Sequence, residues 1–179
     1  MAPRSLASLA DAFEREGVPG LAPFAAAPPS EPWLDELVHG SADPRASIAA
    51  TWLLKAYLER GAELTRPQTA ALLRALERVP TADARLHLCQ LIGHLDVPRR
   101  NAEQLARFLR NGAAGDHKLI RAWAVDGLHR LGLQHREYHT EARLSVDRAS
   151  RDAAASVRAR ARNIQREAGW GGGAGSGGA

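Results

Sequence analysis

The stretch from Asp116 to Gly132 has the pattern of one complete amphipathic helix. Asp116 is a residue type that accepts the free amide hydrogens of a first helical turn, and Gly132 is the type that most often ends a helix. Similar segments precede and follow this stretch, so the chain has to pack several such helices together. The apolar stripe of this helix consists of Leu119, Ile120, Trp123, Ala124, Leu128 and Leu131.

Dense helix-forming sequence begins at Asp43 and is interrupted only by short breaks. Strands are not expected, because β-branched residues are sparse and no alternating apolar run extends beyond a few residues. The body is therefore predicted to be all-α. Its predicted helices lie near residues 44–60, 66–79, 82–95, 99–111, 117–131, 136–149 and 153–167.

These predicted helices recur with a common spacing. Acidic residues at helix starts, apolar residues near helix ends and arginines on the intervening helices each form a column with intervals of 33 and 36 residues. A period near 35 residues with two helices per unit is the sequence signature of an α-solenoid. The three columns are Asp83, Asp116 and Asp152; Leu95, Leu128 and Ile164; and Arg74, Arg107 and Arg143.

Two segments resemble the core of HEAT-type repeats, in particular the short kind. They are Leu-Ile-Arg-Ala-Trp-Ala-Val-Asp-Gly-Leu over 119–128 and Ser-Val-Arg-Ala-Arg-Ala-Arg-Asn-Ile over 156–164. The family places an Asp at the helix opening and an Arg after a β-branched residue, as Asp116 with Arg121 and Asp152 with Arg158 do here. The resemblance covers about residues 43–167 and departs from the pattern at Leu88, which stands at the position of Arg121.

The resemblance implies a right-handed α-solenoid of antiparallel helix pairs, about seven helices long. In such an array the second helix of each pair lines a concave surface, and proteins of this kind bind partners there. The motif is degenerate and supports the fold more than any one function.

The two termini differ from the body. We predict a short helix over 5–16, capped by Ser5 and ended by Gly17, and then a Pro- and Ala-rich linker over 17–32. Residues 33–38 supply an apolar turn that either caps the core or acts as a docking arm for a partner. The predicted divisions are an acidic arm (1–40), a repeat domain (41–168) and a flexible Gly-rich tail (169–179).

Charge is divided along the chain. Residues 1–40 hold two Arg and six acidic residues (2 − 6 = −4), residues 41–134 hold 14 basic and nine acidic residues (14 − 9 = +5), and residues 135–179 hold eight and five (8 − 5 = +3). The acidic arm is therefore expected to lie in the basic groove until a ligand displaces it.

Four arginines are the candidate binding residues: Arg74, Arg107, Arg110 and Arg143. Arg74, Arg107 and Arg143, in register along the concave side, would form a ladder of forked donors for an acidic protein segment. The main expectation is a non-enzymatic scaffold that binds another protein, and the alternative is a nucleic-acid-binding solenoid. Two other uses of these arginines remain open, as a solvated face interspersed with glutamates or as internal links between repeats.

Other features favour structural roles. Cys89 stands in an apolar run and is interpreted as a buried thiol, and Trp52 and Trp123 as core residues. His135 and His139 share a helix face without a third ligand, so neither a metal nor a cofactor is predicted. No catalytic motif is present, which leaves an enzyme activity undecided. The sequence contains no apolar run long enough to predict a membrane span, and a cytoplasmic location is expected.

Overall fold

The computed structural model describes residues 4–170, and within that range it contains ten α-helices and no strand. The predicted all-helical fold is therefore confirmed, and no helix in this range is both long and apolar enough to cross a bilayer. From residue 171 onward, the predicted flexible tail lies outside the described residues. The helices are α1 (Leu6–Glu16), α2 (Ala22–Ala26), α3 (Glu31–Gly40), α4 (Ser47–Leu58), α5 (Arg66–Ala75), α6 (Ala82–Leu91), α7 (Arg99–Ala114), α8 (Lys118–Gln134), α9 (His139–Ala149) and α10 (Ala155–Glu167).

Two glycines that were expected to break helices lie inside them. α7 continues through Gly112 to Ala114, and α8 continues through Gly132 to Gln134. A Cβ at Gly132 would lie 3.1 Å from the Cβ of Ala142, so the glycine serves a close approach between α8 and α9. The start of α8 also differs from the prediction, because the His117 side chain, not that of Asp116, accepts the amide hydrogen of Ile120.

The N-terminal segment is more regular than its composition suggested. Ser5 and Gly17 bound α1 as predicted, but residues 17–32 contain a 3₁₀ turn over Val18–Leu21, the short helix α2 and the start of α3. Prolines stand in the first turn of each of these three elements, where the missing amide hydrogen costs no helical hydrogen bond. The prolines that predicted a linker therefore mark helix starts.

The helices from α3 onward pack in two layers. Helices α4, α6, α8 and α10 lie closely side by side, and α3, α5 and α7 form the second layer with looser contacts between neighbours. Helix α9 packs on α8 and α10 and only slightly on α7. Helix α8 is the hub of the arrangement because it contacts α6, α7, α9 and α10.

One large hydrophobic core joins the N-terminal segment to the rest of the chain. Leu9, Leu21 and Leu37 belong to the same buried cluster as Leu53 and Leu105. Trp33 is only 4% exposed in this cluster, which favours the core-capping interpretation over a free docking arm. A second, smaller cluster lies under the C-terminal helices and consists of Ala122, Val125, Val146, Ala149, Val157, Ala161 and Ile164.

The single cysteine belongs to the larger cluster. Burial raises the pKa of the Cys89 thiol to about 12, because the apolar surroundings disfavour the thiolate. At neutral pH the side chain therefore stays protonated and acts as a small apolar group, in agreement with the sequence interpretation.

We expect Leu37→Ala to lower the free energy of unfolding by about 2–5 kcal/mol, because it opens a cavity in the main core. Urea denaturation followed by circular dichroism measures this loss. The matched control is Leu133→Ala at a leucine that is 61% exposed, with an expected change within about 0.5 kcal/mol. Equal effects of the two substitutions would mean that residues 31–40 are not part of the cooperative core.

Candidate binding surface

Two of the three predicted ladder arginines occupy equivalent positions on neighbouring helices. The buried residues Thr69, Leu72 and Leu73 of α5 match Ala102, Leu105 and Ala106 of α7 at an offset of 33 residues. The same offset relates Arg74 to Arg107, and both side chains are exposed. The structure therefore aligns these two arginines as the sequence spacing predicted.

Arg143 does not continue this row. The buried face of α9 matches that of α7 at an offset of 40 residues, not 36, because Ala142, Ser145, Val146 and Ala149 correspond to Ala102, Leu105, Ala106 and Leu109. At that offset Arg143 corresponds to Glu103. The longer interval follows from the 3₁₀ turn Arg136–Tyr138 that precedes α9.

The Arg143 guanidinium lies instead over the ring of Trp170, 5.8 Å from its centroid. Arg148 lies one helical turn after Leu144 in α9. Its side chain is exposed and borders the groove between α7 and α9. At the offset of 40 residues Arg107 corresponds to Asp147, so Arg148 lies one position beyond the row of Arg74 and Arg107 and no column of the sequence includes it.

Arg107 and Arg110 carry ion pairs that connect helices. The Arg107 Nη1 atom lies 3.2 Å from Glu77 Oε1, which links α7 to the end of α5. Arg110 binds both carboxylate oxygens of Glu141, with distances of 2.6 and 2.8 Å, and links α7 to α9. It also donates to Glu103 at 2.8 Å, and this hydrogen bond lowers the pKa of the Glu103 carboxyl. Arg107 and Arg110 therefore connect helices within the protein, which is one of the uses that the sequence left open for them.

Other arginines on the same face have no such partner. Within residues 4–170, the guanidinium groups of Arg74, Arg78 and Arg148 lie within 4.0 Å of no carboxylate oxygen. They are exposed and remain free to bind an external anion.

Three open cavities follow one another along this face. The first, between α3 and α5, has a volume of about 400 Å³ and is bordered by Arg74 and Arg78. The second, called the α5–α7 groove, lies between the 3₁₀ turn that follows α5 (Leu76–Arg78), the start of α6 and the second half of α7; it measures about 500 Å³ and is bordered by Arg85 and Arg107. The third, beside α7 and α9, measures about 400 Å³ and has Arg148 at its border. The cavities exist because the helices of this layer are more widely spaced than those of the other.

The acidic N-terminal arm makes a different contact from the one expected. Arg45, just before α4, binds Asp11 at 3.0 Å and Glu14 at 2.8 Å. The hydrogen bond from Arg45 lowers the pKa of the Glu14 carboxyl. Among the described residues, no acidic side chain of the arm pairs with the predicted ladder arginines, so the basic grooves are not covered by these carboxylates.

A second set of arginines braces the other layer. Arg85, Arg121 and Arg158 each donate to the backbone carbonyl six residues earlier, with distances of 3.1, 3.1 and 2.7 Å. Arg85 thus makes the same contact before α6 that Arg121 makes before α8. It lies three residues before Leu88, the position at which the sequence spacing predicted an arginine. These hydrogen bonds fix the loop before each helix to the helix itself.

Arg121 also joins two successive loops. Its Nε and Nη2 atoms each lie 3.1 Å from one oxygen of Asp152. Asp152 in turn accepts the amide hydrogen of Ala154 at 2.7 Å, so the carboxylate fixes the turn that leads into α10. The hydrogen bonds from Arg121 are the main cause of the lowered pKa of Asp152.

The histidines and tryptophans singled out in the sequence make intramolecular contacts. His135 Nε2 lies 2.9 Å from the Val97 carbonyl oxygen, and His139 meets the edge of Trp170. The Arg160 guanidinium covers Trp123 at 3.6 Å from the ring centroid. Across residues 4–170, no group of three or more His, Cys, Asp or Glu side chains is arranged to hold a metal ion.

Comparisons of the chain with protein-family models, with curated proteins and with solved structures found no match.

We expect the stability contributed by Asp152 to depend on pH. Its pKa in the folded protein lies below the unfolded value of about 3.9, so its contribution is complete above that value and is lost as the pH falls through the folded pKa. Asp152→Asn keeps an acceptor for Ala154 but removes the charge. The variant should be less stable than the parent at pH 7, and the two urea midpoints should converge as the pH falls below about 4. A constant difference across pH would show that the carboxylate charge does not contribute.

Proposed function

We propose that this protein is a short HEAT-like α-solenoid that binds an acidic segment of another protein along the face of α5, α7 and α9. The repeat architecture is supported by the burial pattern. Leu34, Leu37 and Val38 of α3 match Thr69, Leu72 and Leu73 of α5 at an offset of 35 residues, so α3 begins the series that α5 and α7 continue.

The other layer repeats with comparable offsets. Ala50, Leu53 and Leu54 of α4 match Leu88, Leu91 and Ile92 of α6 at 38 residues. Leu88 and Ile92 match Ala124 and Leu128 of α8 at 36, and Ala124 matches Ala161 of α10 at 37. These offsets support four helix pairs, from α3/α4 to α9/α10, and make the first pair start near residue 31 rather than 41.

The proposed curvature differs from the sequence expectation. A stack of helix pairs bends toward the layer whose helices lie closer together, which is the layer of α4, α6, α8 and α10. The arginine-bearing helices are then on the convex side, where the wider spacing opens the grooves. The proposed binding surface is therefore the convex face, not the concave face that the sequence resemblance implies.

The main support for the proposal is that these grooves are bordered by exposed arginines, three of which (Arg74, Arg78 and Arg148) have no carboxylate partner among the described residues. Each groove has apolar wall residues for side chains of a bound segment and exposed guanidinium groups at its border. The α5–α7 and α7–α9 grooves are each lined by two arginines and two acidic residues, whereas the α3–α5 cavity is lined by two arginines and one aspartate. Guanidinium forks bind carboxylates with two parallel hydrogen bonds, so acidic segments match this surface best. A cytoplasmic location, expected from the composition, belongs to the same proposal.

The decisive test is binding of labelled 15-residue peptides that differ in net charge and in Leu, Phe and Trp content. Acidic peptides with bulky apolar residues should raise fluorescence anisotropy on binding, and basic peptides should not. Arg107→Glu combined with Arg148→Glu should weaken binding by about tenfold or more, since each reversal replaces attraction by repulsion.

The matched control is Arg136→Glu combined with Arg162→Glu, which changes the net charge equally at exposed positions outside the three grooves. It should leave the affinity within about twofold. Absence of acidic-peptide binding at low salt would refute the proposal. Steeply salt-dependent binding of a 20-base-pair duplex, weakened by the groove variant alone, would instead identify the surface as a nucleic-acid interface.

A further inference from the structure

We infer that the cavity between α3 and α5 is an oxyanion site, in which Arg74 and Arg78 hold the carboxylate or phosphate group of one side chain of the bound segment. This inference rests on the proposed function and deepens it, because it names the group that is recognised and the residues that recognise it.

The cavity has the dimensions and lining for a charged side chain with an apolar stem. Its volume is about 400 Å³, and both arginines border it. They stand about one helical turn apart, near the end of α5, so their guanidinium groups can approach one anion from two sides. The apolar part of the wall consists of Val38, Ala42, Pro44, Ala71 and Ala75.

The two other polar residues in the wall leave the site positive. Asp43 accepts the amide hydrogens of Arg45 and Ala46, both at 2.8 Å, so its carboxylate is held by its own turn. His39 donates from Nδ1 to the Asp35 carbonyl oxygen at 2.7 Å. The two arginines and the one aspartate of the lining together carry a net charge of +1 (2 − 1).

The neighbouring grooves provide an internal comparison. At the α5–α7 groove, Glu77 already neutralises Arg107, which is the structural equivalent of Arg74. At the α7–α9 groove, Glu141 and Glu103 neutralise Arg110. Among the described residues, the α3–α5 cavity is the one of the three whose bordering arginines are all without a carboxylate.

This difference has an energetic consequence. An incoming anion at Arg107 or Arg110 has to compete with an existing ion pair and at Arg148 meets a single unpaired arginine, whereas at the α3–α5 cavity it relieves the repulsion between two adjacent cations. The first anionic contact of a bound segment is therefore expected here.

The test uses the full chain, labelled with ¹⁵N, and three probes: inorganic phosphate, the peptide Ac-Ala-pSer-Ala-NH₂ and the peptide Ac-Ala-Glu-Ala-NH₂. Amide shifts should concentrate at residues 39–46 and 71–78, with dissociation constants on the order of 1 mM for these small probes. Arg74→Gln combined with Arg78→Gln should weaken binding at least tenfold, because both forked, charged donors are removed while a polar side chain is kept.

The control Arg136→Gln combined with Arg162→Gln removes the same charge at exposed positions elsewhere and should leave the shifts unchanged. A phosphopeptide affinity at least tenfold above that of the glutamate peptide identifies a phosphorylated side chain as the ligand, and comparable affinities identify a carboxylate. Both results support the site. Shifts located elsewhere, or unchanged in the Arg74/Arg78 variant, overturn it.

The two proposals can fail separately. Acidic peptides could lose binding in the variant with Arg107 and Arg148 reversed, while the amide shifts caused by phosphate do not depend on Arg74 and Arg78. That result leaves the proposed function in place and overturns the oxyanion site. Conversely, phosphate could shift the amide signals around Arg74 and Arg78 although no acidic 15-residue peptide binds. That result supports the oxyanion site and refutes the proposed function.

Discussion

The burial of α8 between four other helices is the contact on which the rest of the fold depends. Leu128 and Leu131 lie in the main core, and Ala122 and Val125 on another face lie in the smaller core. Four helices can approach α8 closely only if α8 has small residues at the contacts. Gly127 is one of them, because a Cβ there would stand 2.7 Å from Leu109 Cδ2. Because α8 joins both cores, the grooves at α5–α7 and α7–α9 are held by the same helix from behind.

Local sequence signals predicted the helices well and their arrangement less well. Periodic apolar residues located every helix from α4 onward, because that periodicity is the direct consequence of burying one face. Gly112 and Gly132 were misread as helix ends, since a glycine required for close packing and a glycine required for a left-handed turn look the same in a sequence. The prolines at positions 19, 23 and 32 were misread as linker residues for a comparable reason.

The candidate surface was predicted only in part because it depends on intervals that vary. A column of aspartates gave intervals of 33 and 36 residues, whereas burial relates α6, α8 and α10 by 36 and 37. An acidic residue near a helix start can occupy several neighbouring positions, so it is a poor marker of register. The extra turn before α9 then shifted Arg143 away from Arg107. Ion pairs such as Arg110–Glu141 join residues about 30 positions apart, and no local pattern announces them.

The arginines of this protein are therefore divided by their surroundings rather than by their sequence. Arg121 binds the carboxylate of Asp152 and the carbonyl oxygen of Gly115, and Arg110 binds the carboxylate of Glu141, so each holds two helices or loops in a fixed relation. Releasing such a group to bind a ligand would leave its carboxylate partner unpaired. Arg74, Arg78 and Arg148 carry the same chemistry without that obligation in the part of the chain that the structure describes. Ligand binding is least costly where a donor is exposed, positioned by a rigid helix and not already used, and that condition separates Arg74, Arg78 and Arg148 from the arginines that brace the fold.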